Sequence, residues 1–335
     1  MSSAPTPEEI ARDARWLAQA LDPAAGQVRL IAMDRDSYRA ASFLDDRMLQ
    51  QPVDGQLVPW PDVEAATTDD RRSDARWIFH IGHVGSTLVS RLLGEIPGVL
   101  GIREPRLLRD LALSPAAIRE RYVEPVPRLM SRTFAKDELA CVKATSFVSE
   151  IAPELVPPGE RVLFIYTTPL NYICSILAGE NSVKELRILA PSRAERLRQR
   201  DILFDAGRND AELAAIAWAC EMTALEIAAN RMADRQVAWA DFDAMLADIH
   251  GALHKLADHF AFIADDRTLA AIASGPLMTR YAKALEYEYS AALRRDLIEE
   301  AGRSHRREIE TALAMLRSAA EKSPLLARAL SRAEG

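Results

Sequence analysis

Residues 77–88, Trp-Ile-Phe-His-Ile-Gly-His-Val-Gly-Ser-Thr-Leu, restrict the fold more than any other stretch of this chain. A short run of bulky apolar residues breaks at Gly82. Ser86 and Thr87 follow, and then Leu88, Val89, Leu92, Leu93 and Ile96 recur at helical spacing. Strand, glycine loop and helix in that order aim backbone N–H groups and a helix N-terminus at a phosphate. The nucleotide-triphosphatase loop needs Gly-x4-Gly-Lys-Ser/Thr. Here two residues separate Gly82 from Gly85, and no lysine precedes Ser86. A shorter loop with a different cation suits another phosphate-bearing donor.

The rest of the chain is arranged around this unit. Strands are expected at 76–81, 98–102, 139–144, 161–166 and 235–240, with helical stretches between them, and 192–232 and 241–335 read as helices. Repeated strand–helix units imply an α/β fold with a mostly parallel sheet covered on both faces. Ligands on such sheets bind beyond the carboxyl ends of the strands. Ahead of this region, Thr6-Pro7-Glu8-Glu9 has the form of a capping box. The helix it starts would place Ile10, Ala14, Leu17 and Leu21 on one face. Residues 28–33 suggest a strand, 34–50 a helix, and 52–75, rich in Pro, Gly, Asp and Thr, a loop. The expected organisation is an N-terminal extension or cap over 1–75, a main domain over 76–290 and a helical C-terminal extension over 291–335.

Composition narrows the class of ligand. The formal net charge of −7 argues against general nucleic-acid binding, so any anion site must be built locally from particular basic residues. No apolar stretch approaches the ~18 residues needed to cross a bilayer, and the first residues lack the pattern of a signal peptide. Cys141, Cys174 and Cys220 are odd in number and sit in apolar stretches. Reduced core thiols in a cytoplasmic protein are expected.

The residues following each expected strand carry the chemistry. After the first comes the loop Gly82–Thr87, with His83 placed to aim a side chain at a transferred group. Glu104 follows the second, where a carboxylate can accept a proton from an attacking hydroxyl, or pair with Arg103 or Arg106. Lys143 leaves the third beside Thr145 and Ser146, which suits an anion at the sheet edge or a lysine reaching solvent. The fourth ends in Thr167-Thr168-Pro169, with Ser175 eight residues after Thr167. A late motif, Met278-Thr279-Arg280-Tyr281-Ala282-Lys283, puts two cations within one helical turn.

Taken in order, these features resemble the P-loop sulfotransferases that use 3′-phosphoadenosine 5′-phosphosulfate (PAPS), and more narrowly the bacterial sulfotransferase-like branch. The resemblance spans about residues 76–290 and implies a P-loop three-layer fold. The family loop, Lys/Arg-Ser-Gly-Thr/Ser-Thr, falls here on His83-Val84-Gly85-Ser86-Thr87, so these residues with Gly82 are implied to hold the 5′-phosphosulfate. The family's second motif places an arginine and a serine eight apart on the 3′-phosphate. Ser175 matches it, whereas the arginine position holds Thr167. Arg280 and Lys283 are the expected substitute cations, because late-chain basic residues reach that phosphate in the family. Glu104 and Lys143 match the base and the post-strand lysine of the tyrosylprotein and heparan-type branches. The implied reaction is metal-independent sulfuryl transfer to a hydroxyl or amine of a small-molecule or peptide acceptor.

Two other readings stay open: a P-loop kinase or nucleotide hydrolase, and a non-catalytic relative that binds a nucleotide or partner. The first lacks its loop lysine, and Val237-Ala238-Trp239-Ala240-Asp241 imitates its acidic strand poorly. His250, His254 and His259 include an i, i+4 pair able to ligate a metal on a helix. The metalloprotease form needs a glutamate where this chain has Gly251. Surface histidines and no bound metal are therefore expected. Acceptor identity and oligomeric state are not legible in the sequence.

Overall fold

Five apolar runs separated by helices form a parallel sheet, and three earlier strands form a second, antiparallel one. The computed structural model describes residues 4–68, 71–204, 209–279 and 290–334. β1 (Trp16–Asp22), β2 (Gln27–Ala32) and β3 (Gly55–Pro59) pair antiparallel in sequence order. β4 (Arg76–His80), β5 (Val99–Arg103), β6 (Leu139–Lys143), β7 (Arg161–Tyr166) and β8 (Gln236–Asp241) lie parallel in the order β5-β6-β4-β7-β8. β4 and β7 are apolar on both faces, with Trp77, Ile78, Phe79, Leu163 and Phe164 all fully buried, as a sheet covered by helices on each side requires.

Topology positions the site. From β4 the chain runs through the helix Ser86–Leu93 to β5 at one edge. From β6 it passes β4 to reach β7, and goes on to β8 at the other edge. Right-handed crossovers in opposite directions put the connecting helices on opposite faces. The reversal opens a crevice beyond the carboxyl ends of the central strands, where ligands of such sheets bind. The loop after β4 stands at that crevice.

The N-terminal region departs from the sequence reading in three places. The capping box is present, with the Thr6 hydroxyl and the Glu9 carboxylate exchanging bonds with each other's backbone, but its helix stops at Arg12. Leu17 and Leu21 lie in β1 instead, because pairing with β2 buries them more fully than another helical turn would. Residues 34–50 break into a short helix, Arg35–Ala40, and a 3-10 turn, Asp46–Gln50. The stretch 52–75 contains β3 and the helix Trp60–Ala66, too short to show a period among their prolines.

Buried arginines fasten this region to the parallel sheet. Arg103, at the end of β5, donates to the carbonyls of Tyr38, Arg39 and Ala41. Arg91 donates to the carbonyls of Arg39 and Ala40 and to the Ser42 hydroxyl, and Arg132 to those of Ile10, Trp16 and Leu129. At the other end of the chain, the helices Ala291–Ser304, Arg306–Lys322 and Pro324–Glu334 pack on the helices Pro169–Leu177 and Asp210–Arg231. The three cysteines are buried and unpaired. Among the described residues, no helix is long and apolar enough to cross a membrane.

Candidate functional site

The loop is shaped by its backbone. Gly82, His83 and Gly85 all have left-handed φ, at 81°, 53° and 59°. Successive N–H groups in such turns face one side and form an anion-binding concavity. At Gly85 a side chain is also excluded sterically, since a Cβ there would sit 1.9 Å from Cζ of Phe242. His80 fixes the loop to the sheet: its Nδ1 accepts from the Gly82 N–H (2.9 Å) and its Nε2 donates to the Ala144 carbonyl (3.0 Å). The proton must therefore lie on Nε2. One imidazole thus ties the β4 loop to the residue after Lys143.

Ser86 and Thr87 open a helix whose eight residues are all buried. The Thr87 hydroxyl is buried and makes no hydrogen bond. An unpartnered donor at a loop of this form fits an incoming phosphate or sulfate oxygen. His83 is half-buried, with its ring edge-on to Tyr172 at 6.1 Å.

Across the crevice, the parallel register sets Arg103 beside Lys143, so Glu104 emerges next to it, and its N–H bonds the Lys143 carbonyl at 2.7 Å. Glu104 itself has φ of 54°. Lys143 Nζ contacts Glu104 Oε1, and Arg47 reaches Oε2 at 3.1 Å. Arg47 also clamps Asp45 and lies 3.2 Å from the centre of the Phe43 ring. So both carboxylate oxygens of Glu104 are engaged, one by a sheet lysine and one by an arginine from the N-terminal region. Burying a pair of this kind is favourable only when its remaining atoms find partners, which Arg47 supplies.

The loop, His83, Glu104 and Lys143 line one cavity of about 1180 Å³. Phe43, Leu113, Phe147, Ile188 and Leu189 give it apolar walls. Its far side belongs to the helix Glu180–Arg198. There Arg193 and Arg196 hold the fully buried Glu221 at 3.3 and 2.7 Å. Burial alone would push that carboxyl up, but the two guanidiniums outweigh it and hold it below the usual carboxylate range.

A second polar corner lies at the ends of β7 and β8. Thr167 is fully buried and its hydroxyl donates to Asp243 Oδ2 at 2.5 Å, joined there by Asn171 Nδ2 at 2.9 Å. Arg294, from the helix Ala291–Ser304, donates to Asp243 Oδ1 at 3.0 Å and to the Ser175 hydroxyl at 3.4 Å. Burial would raise the Asp243 carboxyl, yet Arg294, Thr167 and Asn171 together lower it. Arg294 is 9% exposed, and its Nη2 is buried without a hydrogen-bond partner. Its guanidinium lies 5.0 Å from the centre of the Phe242 ring, whose Cζ tip packs against Gly85. One aromatic ring thus touches both the loop and Arg294.

The structure therefore brings Gly82–Thr87, Glu104 and Lys143 to one cavity, and gathers Thr167 and Ser175 into a separate corner through Asp243 and Arg294. Thr167 spends its hydroxyl on Asp243. Arg280 and Lys283 lie outside the described residues. Four residues escaped the sequence reading: His80, Arg47, Asp243 and Arg294. His80 was visible as a polar residue ending an apolar strand. The other three gave no local signal, since the contacts with Glu104, Thr167 and Ser175 and between Arg294 and Asp243 that bring them to the site span 51 to 119 positions.

No family model and no curated protein matches the chain. Among solved structures it is similar to the sulfotransferase domain from the curacin biosynthetic pathway, at TM-score 0.41 and 12% identity, covering 69% of this chain and 91% of that one. It is also similar to the sulfotransferase domain of the Synechococcus PCC 7002 olefin synthase, at TM-score 0.40 and 15% identity, covering 70% and 90%. A mouse sulfotransferase, SULT7A1, complexed with PAP aligns at TM-score 0.36 and 10% identity over 81% and 92%.

Proposed function

We propose that the protein transfers a sulfuryl group from PAPS to a hydroxyl or amine of a small-molecule or peptide acceptor, without a metal. The observation that carries this reading is the left-handed loop Gly82–Gly85, with the unpartnered Thr87 hydroxyl behind it, sharing one cavity with the Lys143–Glu104 pair. The loop supplies donors to the 5′-phosphosulfate, and Ser175 with Arg294 Nη2 receives the 3′-phosphate.

In the reaction the acceptor oxygen or nitrogen forms a bond to sulfur while the bond from sulfur to the phosphate oxygen breaks. Charge grows on that leaving oxygen, where loop N–H groups, His83 and Lys143 offset it; one such donor is typically worth ~2.7–4 kcal/mol of barrier. The acceptor proton passes to Glu104. Lys143 leaves Oε1 as it turns to the donor, and Arg47 keeps Oε2 in place. The transferred sulfonate carries less charge than a γ-phosphate, so positioning and fixed donors suffice. Buried, unpaired thiols suit a reducing cytoplasm.

Titration with the desulfated nucleotide, 3′-phosphoadenosine 5′-phosphate, tests the reading. It should bind, while magnesium-ATP should not compete. Arg294→Ala should weaken it by the worth of a bond to a charged group, ~1.5–3 kcal/mol or roughly 10- to 150-fold, and leave adenosine 5′-phosphate unchanged. No binding to the unaltered protein defeats the proposed donor. Equal losses for both nucleotides would remove Arg294 from the 3′-phosphate. Labelled donor screened against phenols, alcohols, amines and peptides then identifies the acceptor.

A further inference from the structure

Away from the cavity, two consecutive helices bring three metal-ligating groups to one point. His250 and His254 lie one turn apart on the helix Ile249–Phe260, and Asp266 is the first residue of the helix Asp266–Ala273. Both imidazoles turn Nε2 toward the same carboxylate oxygen, Asp266 Oδ1, at 3.2 Å from His250 and 2.8 Å from His254. The three ligand atoms lie within 4.8 Å of one another. The rings stand edge to face, 4.8 Å apart and 81° to each other, so they converge rather than stack. His250 Nε2 is buried yet makes no hydrogen bond, despite its closeness to that oxygen.

We propose that His250, His254 and Asp266 form a binding site for a divalent transition-metal ion of the zinc class. Zinc bonds imidazole nitrogen at ~2.0–2.1 Å and carboxylate oxygen at ~2.0–2.2 Å, so the edges of a tetrahedral site measure about 3.3 Å. The His250–Asp266 separation of 3.2 Å is close to such an edge, while the His254–Asp266 hydrogen bond of 2.8 Å would lengthen slightly around an ion. One cation between the three atoms gives the buried His250 Nε2 a partner and takes the place of the His254–Asp266 hydrogen bond. Two imidazoles with one carboxylate suit zinc, or cobalt(II) as its spectroscopic substitute, and leave a fourth position to water. The site binds and does not hydrolyse. The metalloprotease form would need a glutamate at position 251, where this chain has Gly251. The bound ion staples the two helices together.

The test uses the full chain without added histidines, dialysed against chelator and titrated with zinc chloride in competition with a zinc indicator. One equivalent should bind, and cobalt(II) should give the intense visible absorption of a tetrahedral site. Losing a group that only orients a ligand costs ~10–100-fold in metal affinity. His254→Gln and Asp266→Asn, which remove direct ligands on the surface, should each cost at least about as much. Circular dichroism of each variant confirms that the fold is intact. Failure of the unaltered protein to bind one equivalent, or binding that survives in a His250→Gln/His254→Gln double variant, overturns the proposal.

Discussion

Gly85 occupies a position that disfavours any side chain, for two separable reasons. Its left-handed φ costs an L-residue ~1–2 kcal/mol, and the ring of Phe242 stands where a Cβ would go. Gly82 shares the first reason only, since its nearest neighbour would be Ser146 Oγ at 3.7 Å. Gly85→Ala should therefore lose more stability than Gly82→Ala, by an overpacking cost of ~1–3 kcal/mol, and should displace the Phe242 ring that touches both the loop and Arg294. Urea midpoints and nucleotide titrations compare the two variants. Equal losses would mean that Phe242 yields freely and does not brace the loop. The glycine pair and the Ser-Thr after it were legible in the sequence because they act through their own backbone. Phe242, Arg47 and Arg294 were not, because each acquires its role only when a distant element folds against it.

Among whole elements, the central parallel strands β4 and β7 were readable since each is a continuous apolar run, and burial on both faces leaves no polar alternation to confuse the pattern. β1 was not. Its Leu17 and Leu21 are four apart, a spacing compatible with a helix face, and only the pairing with β2 decides the matter. The helix Asp210–Arg231 offers the opposite case: sixteen of its residues are buried, so it is nearly unpatterned and still helical. One of its buried acids, Glu221, is retained against burial by Arg193 and Arg196. Glu221→Gln should leave those cations under-compensated; breaking such a pair costs ~3–5 kcal/mol, with the lower end expected because Arg196 also holds Glu150 at 2.9 Å. The folded carboxyl titrates below its unfolded value of ~4.3, so the contribution is complete above that pH and is lost as pH falls through the folded value. The stability gap between the native protein and the variant should be widest near neutrality and close in acid. A gap that stays constant from neutral pH down to about pH 3 would show that Glu221 is not held as an anion.

For the molecule as a whole, the N-terminal residues are joined to the parallel sheet by more than surface contact. Arg91, Arg103 and Arg132 are all at least nine-tenths buried and spend their guanidiniums largely on N-terminal carbonyls, while Leu44 N–H bonds the Arg103 carbonyl at 2.7 Å. The same segment delivers Arg47 to Glu104 and Phe43 to the cavity wall. If β1–β3 opened together with the segment 38–42 that joins β2 to β3, three buried guanidiniums would lose acceptors at once, and a partly satisfied buried cation is costlier than either the closed or the fully unfolded state. Opening of the small sheet should therefore be coupled to global unfolding, although chains of this size commonly unfold in steps. Hydrogen exchange in rising urea measures the coupling directly. Amides of β1 and β2 should lose protection at the same urea concentration as those of β4 and β7. Earlier exchange of β1 and β2, with β4 and β7 still protected, would show that the N-terminal sheet is a detachable cap, and Arg47 would then reach Glu104 only while that cap is closed.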